Sequence, residues 1–384
     1  MPKIKVLLLL YDLSLTGAPK SILDTFDALR DDVEVRVLAI SGGPLEAKSR
    51  ELDLTRCLTT GSGAGNSYIQ RLTNRASKGM SSFFIRRWKP DIIYVNSVAA
   101  LFIARWFKLP NAPVVLHVHE LDTITEIFTA SCKDLLQEWP DRYIAVSQPV
   151  RDMLVERYGI DKNHVSVVNP CVRDDDFRTM FSEPDKSDAR FVVGGAGKPS
   201  WRKGTTLWLQ TAKELIKILG EDKIRFVWVG LSTDQDSLFF REEVRKLNLE
   251  SVVDLVNSTP EPFKHYAGFD IFALTSWEDP CPAVVFENMM LKNPVVCFAG
   301  SGGAPEEVGD TGIIIEEFSP IDMAKAIVIL FAQPERRAAL GEAARSRVEE
   351  HFKASGQVPK ILAEIQRLVV PEKARIAKRI HASS

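Results

Sequence analysis

Apolar residues come in short unbroken runs, separated by stretches with a helical period. Ile4–Tyr11 is continuous and apolar, as a strand buried on both faces of a parallel sheet must be. After Gly17 the period changes: Ile22, Leu23, Phe26 and Leu29 share one face of a helix predicted near Pro19–Arg30. Further strands are predicted at Val33–Ile40, Asp91–Asn96, Pro113–His119 and Tyr143–Ser147. The polar stretch Asp174–Ala189 breaks the rhythm and reads as a linker. The alternation then restarts, with strands at Phe191–Gly195, Ile224–Gly230, Val252–Val256, Asp270–Thr275, Pro294–Phe298 and Gly312–Ile315. Helices are predicted at Gly204–Leu219, Ser237–Leu247, Pro282–Leu291 and Pro320–Phe331. The expected class is α/β, with two Rossmann-like domains in series. Ligands of such sheets bind at the carboxyl ends of strands, so the cleft between the domains is the expected site.

Composition narrows this picture. A length of 384 residues suits two domains, and 45% apolar with 26% charged residues excludes disorder as the main state. The net charge of −2 offers no basic field for nucleic acid. Five scattered cysteines without a CxxC support neither a disulfide framework nor a zinc site, and fit a reducing compartment. No run reaches the roughly 18–20 apolar residues of a membrane span. The opening MPKIKVLLLL stops at Asp12 without a cleavage site, so it reads as a strand and not as a signal peptide. The expected location is cytoplasmic.

Several motifs fail by a residue or two. Gly194–Ser200 (GGAGKPS) has Val192 and Pro199 where a P-loop needs glycine and Ser/Thr, and Ser200 where a dinucleotide fingerprint needs glycine or alanine. His119-Glu120 is followed by Thr123 where a zincin needs histidine, and no GxSxG elbow is present.

Three motifs survive. GKPSWRKG (Gly197–Gly204) runs from a strand end into a helix and places Lys198, Arg202 and Lys203 at the helix start. Cations there oppose the helix dipole, and a bound diphosphate resolves the conflict; a solvated basic turn is the plainer alternative. In WEDPCPAVVFEN (Trp277–Asn288), Pro282 suits a first helical position, and Ala283, Val284 and Val285 offer amide groups at the helix start. Asp279 in the turn and Glu287 in the helix then flank that nest and suit sugar and ribose hydroxyls. Taken alone, a turn-forming aspartate and a solvated glutamate are the plainer readings. In LHVHEL (Leu116–Leu121), alternation puts His117 and His119 on the same side, facing a cleft or satisfied structurally.

The ordered set resembles the retaining glycosyltransferases of family 4, over nearly the whole chain. The resemblance implies a GT-B fold, two Rossmann-like domains facing each other across a cleft. It divides the chain into an acceptor-binding domain at 1–178, a nucleotide-sugar-binding domain at 179–352, and a 353–384 segment returning to the first domain with a basic tail. Helices near Glu335–Phe352 and Gly356–Val370 fit that return, and Lys373–Arg379 reads as a frayed tail. In the family pattern two glutamates eight positions apart close the donor site; Asp279 and Glu287 occupy them here. Lys198 and Lys203 match the pair that grips the donor diphosphate, with Lys198 replacing arginine and Arg202 available in its place. His119 matches the histidine near the donor sugar, Thr16-Gly17-Ala18 the glycine-rich loop after the first strand, and SGGAPEEV (Ser301–Val308) a second such loop with Glu306.

By that resemblance the reaction moves a sugar with retention from a nucleoside-diphosphate sugar to a glycan, lipid-linked or small-molecule hydroxyl, as in bacterial surface polysaccharide or glycoconjugate synthesis. Lys203, Arg202 and the Pro282–Ala283–Val284 helix start would stabilise the leaving diphosphate, Asp279 a sugar hydroxyl, Glu287 the ribose, and His119 the donor sugar. No metal or other cofactor is implied. A non-catalytic scaffold and a sugar-nucleotide epimerase on the same fold are the alternatives. Arg71, Arg75, Lys78, Arg86, Arg87 and Lys89, interleaved with Phe83, Phe84 and Trp88, fit a face resting peripherally on the inner side of a membrane, or a solvated helix with core-facing aromatics.

Overall fold

A computed structural model describes residues 2–14, 17–52, 56–59, 83, 85–103, 111–130, 133–173 and 189–382, with 56–59 and 370–382 described as backbone alone. The chain forms two compact units, Met1–Cys171 with Ala354–Ser384, and Val172–Lys353. The linker stretch at 174–188, with the Asp174-Asp175-Asp176 run, lies outside the described residues, as do Thr16, Arg71, Arg75, Lys78 and Phe84.

The first unit carries seven parallel strands: β1 (Ile4–Leu10), β2 (Val33–Ser41), β3 (Arg56–Thr59), β4 (Ile92–Asn96), β5 (Val114–Val118), β6 (Arg142–Ala145) and β7 (Val165–Val167). Their spatial order is β3-β2-β1-β4-β5-β6-β7. Residues Val6 to Leu10 of β1 are buried without alternation, because helices cover both faces. The Gly17–Ala28 helix packs Ile22, Leu23 and Phe26 into a core with Leu8 and Tyr94. The Ala354–Ala382 helix adds Val358, Ile361, Ile365 and Val369 to the same core. Its Glu364 pairs with Arg142 of β6 at 2.7 Å and accepts from Ser166 of β7 at 2.9 Å. The backbone of this helix runs on to Ala382. The stretch expected as a frayed tail, Lys373–Arg379, lies within this helical backbone.

The second unit carries β8 (Phe191–Ala196), β9 (Ile224–Leu231), β10 (Val253–Asn257), β11 (Ile271–Leu274), β12 (Val295–Phe298) and β13 (Ile313–Ile315), all parallel, in the order β10-β9-β8-β11-β12-β13. The order reverses between β8 and β11, as it does between β1 and β4 in the first unit. In open α/β sheets such a reversal leaves a crevice at the strand carboxyl ends. Two apolar clusters cover the two faces: one joins Trp208, Trp228 and Phe240 with Ile327, the other Phe272, Phe286 and Met289 with Val348.

The strands missed by periodicity are the short edge strands β3 and β7. In the basic aromatic stretch, Trp88 is buried, donates its indole N–H to Glu34 at 2.7 Å, and lies under the Arg36 guanidinium at 4.6 Å. Its aromatic face is thus used within the unit; Phe83 is exposed. Among the described residues no helix is long and apolar enough to cross a membrane.

Candidate functional site

At the reversal point of the second sheet, the loops after β8, β11 and β12 are bonded together. The chain leaves β8 at Gly197 (φ +120°), where a Cβ would sit 3.0 Å from the Lys203 Cε; glycine lets that side chain run along the backbone. A single tight turn, Trp201–Lys203, follows, and Gly204 (φ +61°) starts the next helix. A Cβ on Gly204 would meet the Thr275 carbonyl oxygen at 1.9 Å, so only glycine permits this approach to the end of β11. Thr275 Oγ1 donates to the Lys203 carbonyl at 3.2 Å, the Trp277 amide to the Arg202 carbonyl at 2.7 Å, and Arg202 Nη1 to the Glu278 carbonyl at 2.9 Å.

Asp279 joins all three loops. Its amide donates to the Ser301 carbonyl at 2.7 Å, its carbonyl accepts from Gly303 at 2.9 Å, and its carboxylate pairs with Lys203 Nζ at 2.5 Å. Both side chains are largely buried, 15% exposed for Lys203 and 8% for Asp279. Two hydrogen-bonded partners in low dielectric fix the ammonium in place. The Ala283–Met290 helix follows, its first turn presenting amides that the helix itself leaves unpaired.

In the first unit the matching reversal point gathers the ends of β1, β4 and β5. Glu120, buried, accepts from Ser97 Oγ, from the Val98 amide at 3.2 Å and from the His119 amide at 2.9 Å. That clamp holds Ser97 at φ +85°, a conformation L-residues avoid. Asn96 Nδ2 donates to the Ala18 carbonyl at 3.3 Å, which turns its amide oxygen to His119 Nε2 at 2.9 Å. Nε2 must then carry the proton, leaving Nδ1 as an acceptor. His117 Nδ1 bonds the Tyr94 hydroxyl at 2.8 Å, and the two imidazoles lie 4.2 Å apart. Burial lowers the His119 pKa to about 3; burial, then His119, lowers that of His117 well below its ordinary value.

Both rings are therefore neutral at pH 7. The unfolded chain protonates them near pH 6.5 while the folded chain does not, so stability falls as pH drops below about 6.5 toward 3. Replacing His119 with glutamine should flatten that acid slope in urea titrations run between pH 6.5 and 4.

Profile comparison matches residues 15–176 to the description Glycosyltransferase Family 4 and residues 189–333 to Glycosyl transferases group 1. The chain belongs to glycosyltransferase family 4. A D-inositol 3-phosphate glycosyltransferase from Corynebacterium aurimucosum is 27% identical over 246 residues, spanning 60% of this chain and 58% of that protein. The chain thus matches less than two thirds of that relative's length. Among solved structures, HepE from Anabaena in complex with UDP-glucose superposes with a TM-score of 0.77 at 19% identity, covering 95% of this chain and 100% of HepE. Sucrose-phosphate synthase from Thermosynechococcus elongatus gives 0.71 at 16%, covering all of both chains. The fold is GT-B, built from two Rossmann-like units.

In this family 4 glycosyltransferase the expected site residues take the following partners. Lys198 pairs at 2.7 Å with Asp234, whose carboxylate also accepts from the Ser237 amide at the start of the next helix. The Lys198 contact, then the Ser237 bonds, hold the Asp234 carboxyl well below its usual range. Arg202 spends Nη1 on a carbonyl and acts as a strap between loops. Asp279 is the partner of Lys203 and not an open turn carboxylate. Pro282 caps the helix in an extended conformation, and Ala283 is the first helical residue. Glu287 is half-buried beside Tyr266, whose hydroxyl burial, then that carboxylate, push well up. Gly17 opens its helix with nothing within 4 Å of a Cβ placed on it. Glu120 and Asn96 were missed. Among the described residues no three His, Cys, Asp or Glu side chains converge as metal ligands.

Proposed function

We propose that the protein transfers a glycosyl group from a nucleoside-diphosphate sugar to a hydroxyl acceptor, with retention at the anomeric carbon. One observation carries this reading: a largely buried lysine at the reversal point of a Rossmann sheet, fixed by Asp279 in the turn that leads into the Ala283–Met290 helix. Negative charge grows on the diphosphate as the glycosidic bond breaks, and preorganised donors stabilise that charge without reorganising. Lys203 supplies a fixed ammonium donor, and the Ala283 and Val284 amides supply the oriented dipoles. Asp279 holds Lys203 in place, Glu287 suits a ribose hydroxyl, and His119 Nδ1 suits a sugar hydroxyl as acceptor. Gly17 leaves open space at the first unit's crevice. No metal or other cofactor enters the proposal.

The UDP-glucose bound to HepE supports a nucleotide-sugar donor, and the inositol phosphate enzymes among the relatives support a polyol or sugar hydroxyl as acceptor. Nucleoside-diphosphate release from UDP-, GDP-, ADP- and dTDP-sugars, measured against a panel of glycan, lipid-linked and polyol acceptors, tests the transfer. The anomeric coupling of the product by proton NMR tests retention. Sugar-nucleotide binding without turnover or donor hydrolysis would replace this reading with a binding scaffold, and donor isomerisation without acceptor with an epimerase.

A further inference from the structure

Glu307 is a carboxyl for which that reaction has no use. It lies on the Ala304–Val308 helix, is fully buried, and neither of its oxygens has a nitrogen or oxygen hydrogen-bond partner. An ionised carboxylate placed so would be costly, and native structures rarely leave one. The loop before the Ala283–Met290 helix brings Asp279 and the Cys281 thiol, a weak donor at best, beside it. Cys297 on β12 is buried nearby, Glu306 is its chain neighbour, and Lys203 faces it from the turn after β8. Arg347, from the Pro334–His351 helix, gives its guanidinium to the Glu306 and Glu307 carbonyls at 3.0 and 2.8 Å, not to the carboxyl. Burial raises the Glu307 pKa well above its ordinary value; Asp279 and Glu306 add to this against Cys281 and Lys203. The Cys281 and Cys297 thiols are also pushed up by burial, the latter to about 12.

We propose that Glu307 is a positioning residue for the anion grip, an un-ionised carboxyl stored behind the Lys203–Asp279 pair so that Lys203 meets one carboxylate charge instead of two. This rests on the donor reading above. An ionised Glu307 behind the neutral Lys203–Asp279 pair would leave that corner net negative, and it would repel the diphosphate. Ionising Glu307 in alkali therefore weakens diphosphate binding.

The test measures the Kd of UDP, GDP and ADP by calorimetry at pH 7 and about pH 9.5, within reach of buried glutamates. The wild type should lose about tenfold or more in affinity across that interval, one unit of charge coupling. E307Q, which keeps Lys203, Asp279, Glu306, Cys281 and Cys297, should lose less than about threefold. The infrared carbonyl stretch of an un-ionised carboxylic acid should be present in the wild type at pH 7 and missing in E307Q. An equal alkaline loss in E307Q, or no such band in the wild type, overturns the proposal; E307M replaces E307Q if the amide variant does not fold. A wild type that binds none of the three nucleotides overturns the donor reading and this role with it, while the infrared band reports separately on the carboxyl.

Discussion

Lys203→Met should lower kcat/KM for the sugar-nucleotide donor by about 10²–10³, the usual consequence of removing one preorganised charge donor from a developing oxyanion. The same change strands the Asp279 carboxylate at 8% exposure, and an orphaned buried charge commonly costs about 3–5 kcal/mol of stability. A loss of activity alone would therefore be ambiguous. The double variant Lys203→Met/Asp279→Asn separates the two effects: it should regain most of the melting temperature and none of the rate. Recovery of both would place Lys203 in the scaffold and remove it from the chemistry. Lys203→Arg should recover little, because Gly197 leaves a groove shaped for a narrow aliphatic stem.

Glu364→Leu should destabilise the first unit by about 3–5 kcal/mol, since it leaves Arg142, 11% exposed, without its carboxylate. For a unit of this size the midpoint should drop by roughly 6–20 °C. Arg142→Met/Glu364→Leu should recover much of that loss, because a packed apolar pair avoids the desolvation of two ions. Hydrogen exchange across 354–369 is the readout: faster exchange in the single variant and near wild-type protection in the double. Unchanged exchange in the single variant would mean that Val358, Ile361, Ile365 and Val369 hold the helix unaided.

Much of this was legible in the residues. Unbroken apolar runs such as Ile4–Leu10 announce strands covered on both faces, and GKPSWRKG and WEDPCPAVVFEN mark the two loops that meet at the second reversal point. What periodicity cannot supply is partner choice. Lys198 and Lys203 look alike in sequence, yet the bare Cα of Gly197 directs one inward to Asp279 while Asp234 takes the other outward. Glu306 and Glu307 are adjacent and identical, and only the pitch of a five-residue helix decides which is buried. Strands β3 and β7 escaped because edge strands of four and three residues carry no period to detect. Glu120 escaped because its bonds go to backbone amides, whose positions a sequence does not print.

The first unit is discontinuous in the chain, open at Cys171 and closed again from Ala354. A ribosome therefore delivers the second unit whole while the first still waits for its last helix. Until Val358, Ile361, Ile365 and Val369 emerge, that side of the early sheet is covered only in part, by the Gly17–Ala28 helix. Chaperone capture of stalled nascent chains should accordingly persist past residue 353 and fall once residues 354–369 clear the exit tunnel.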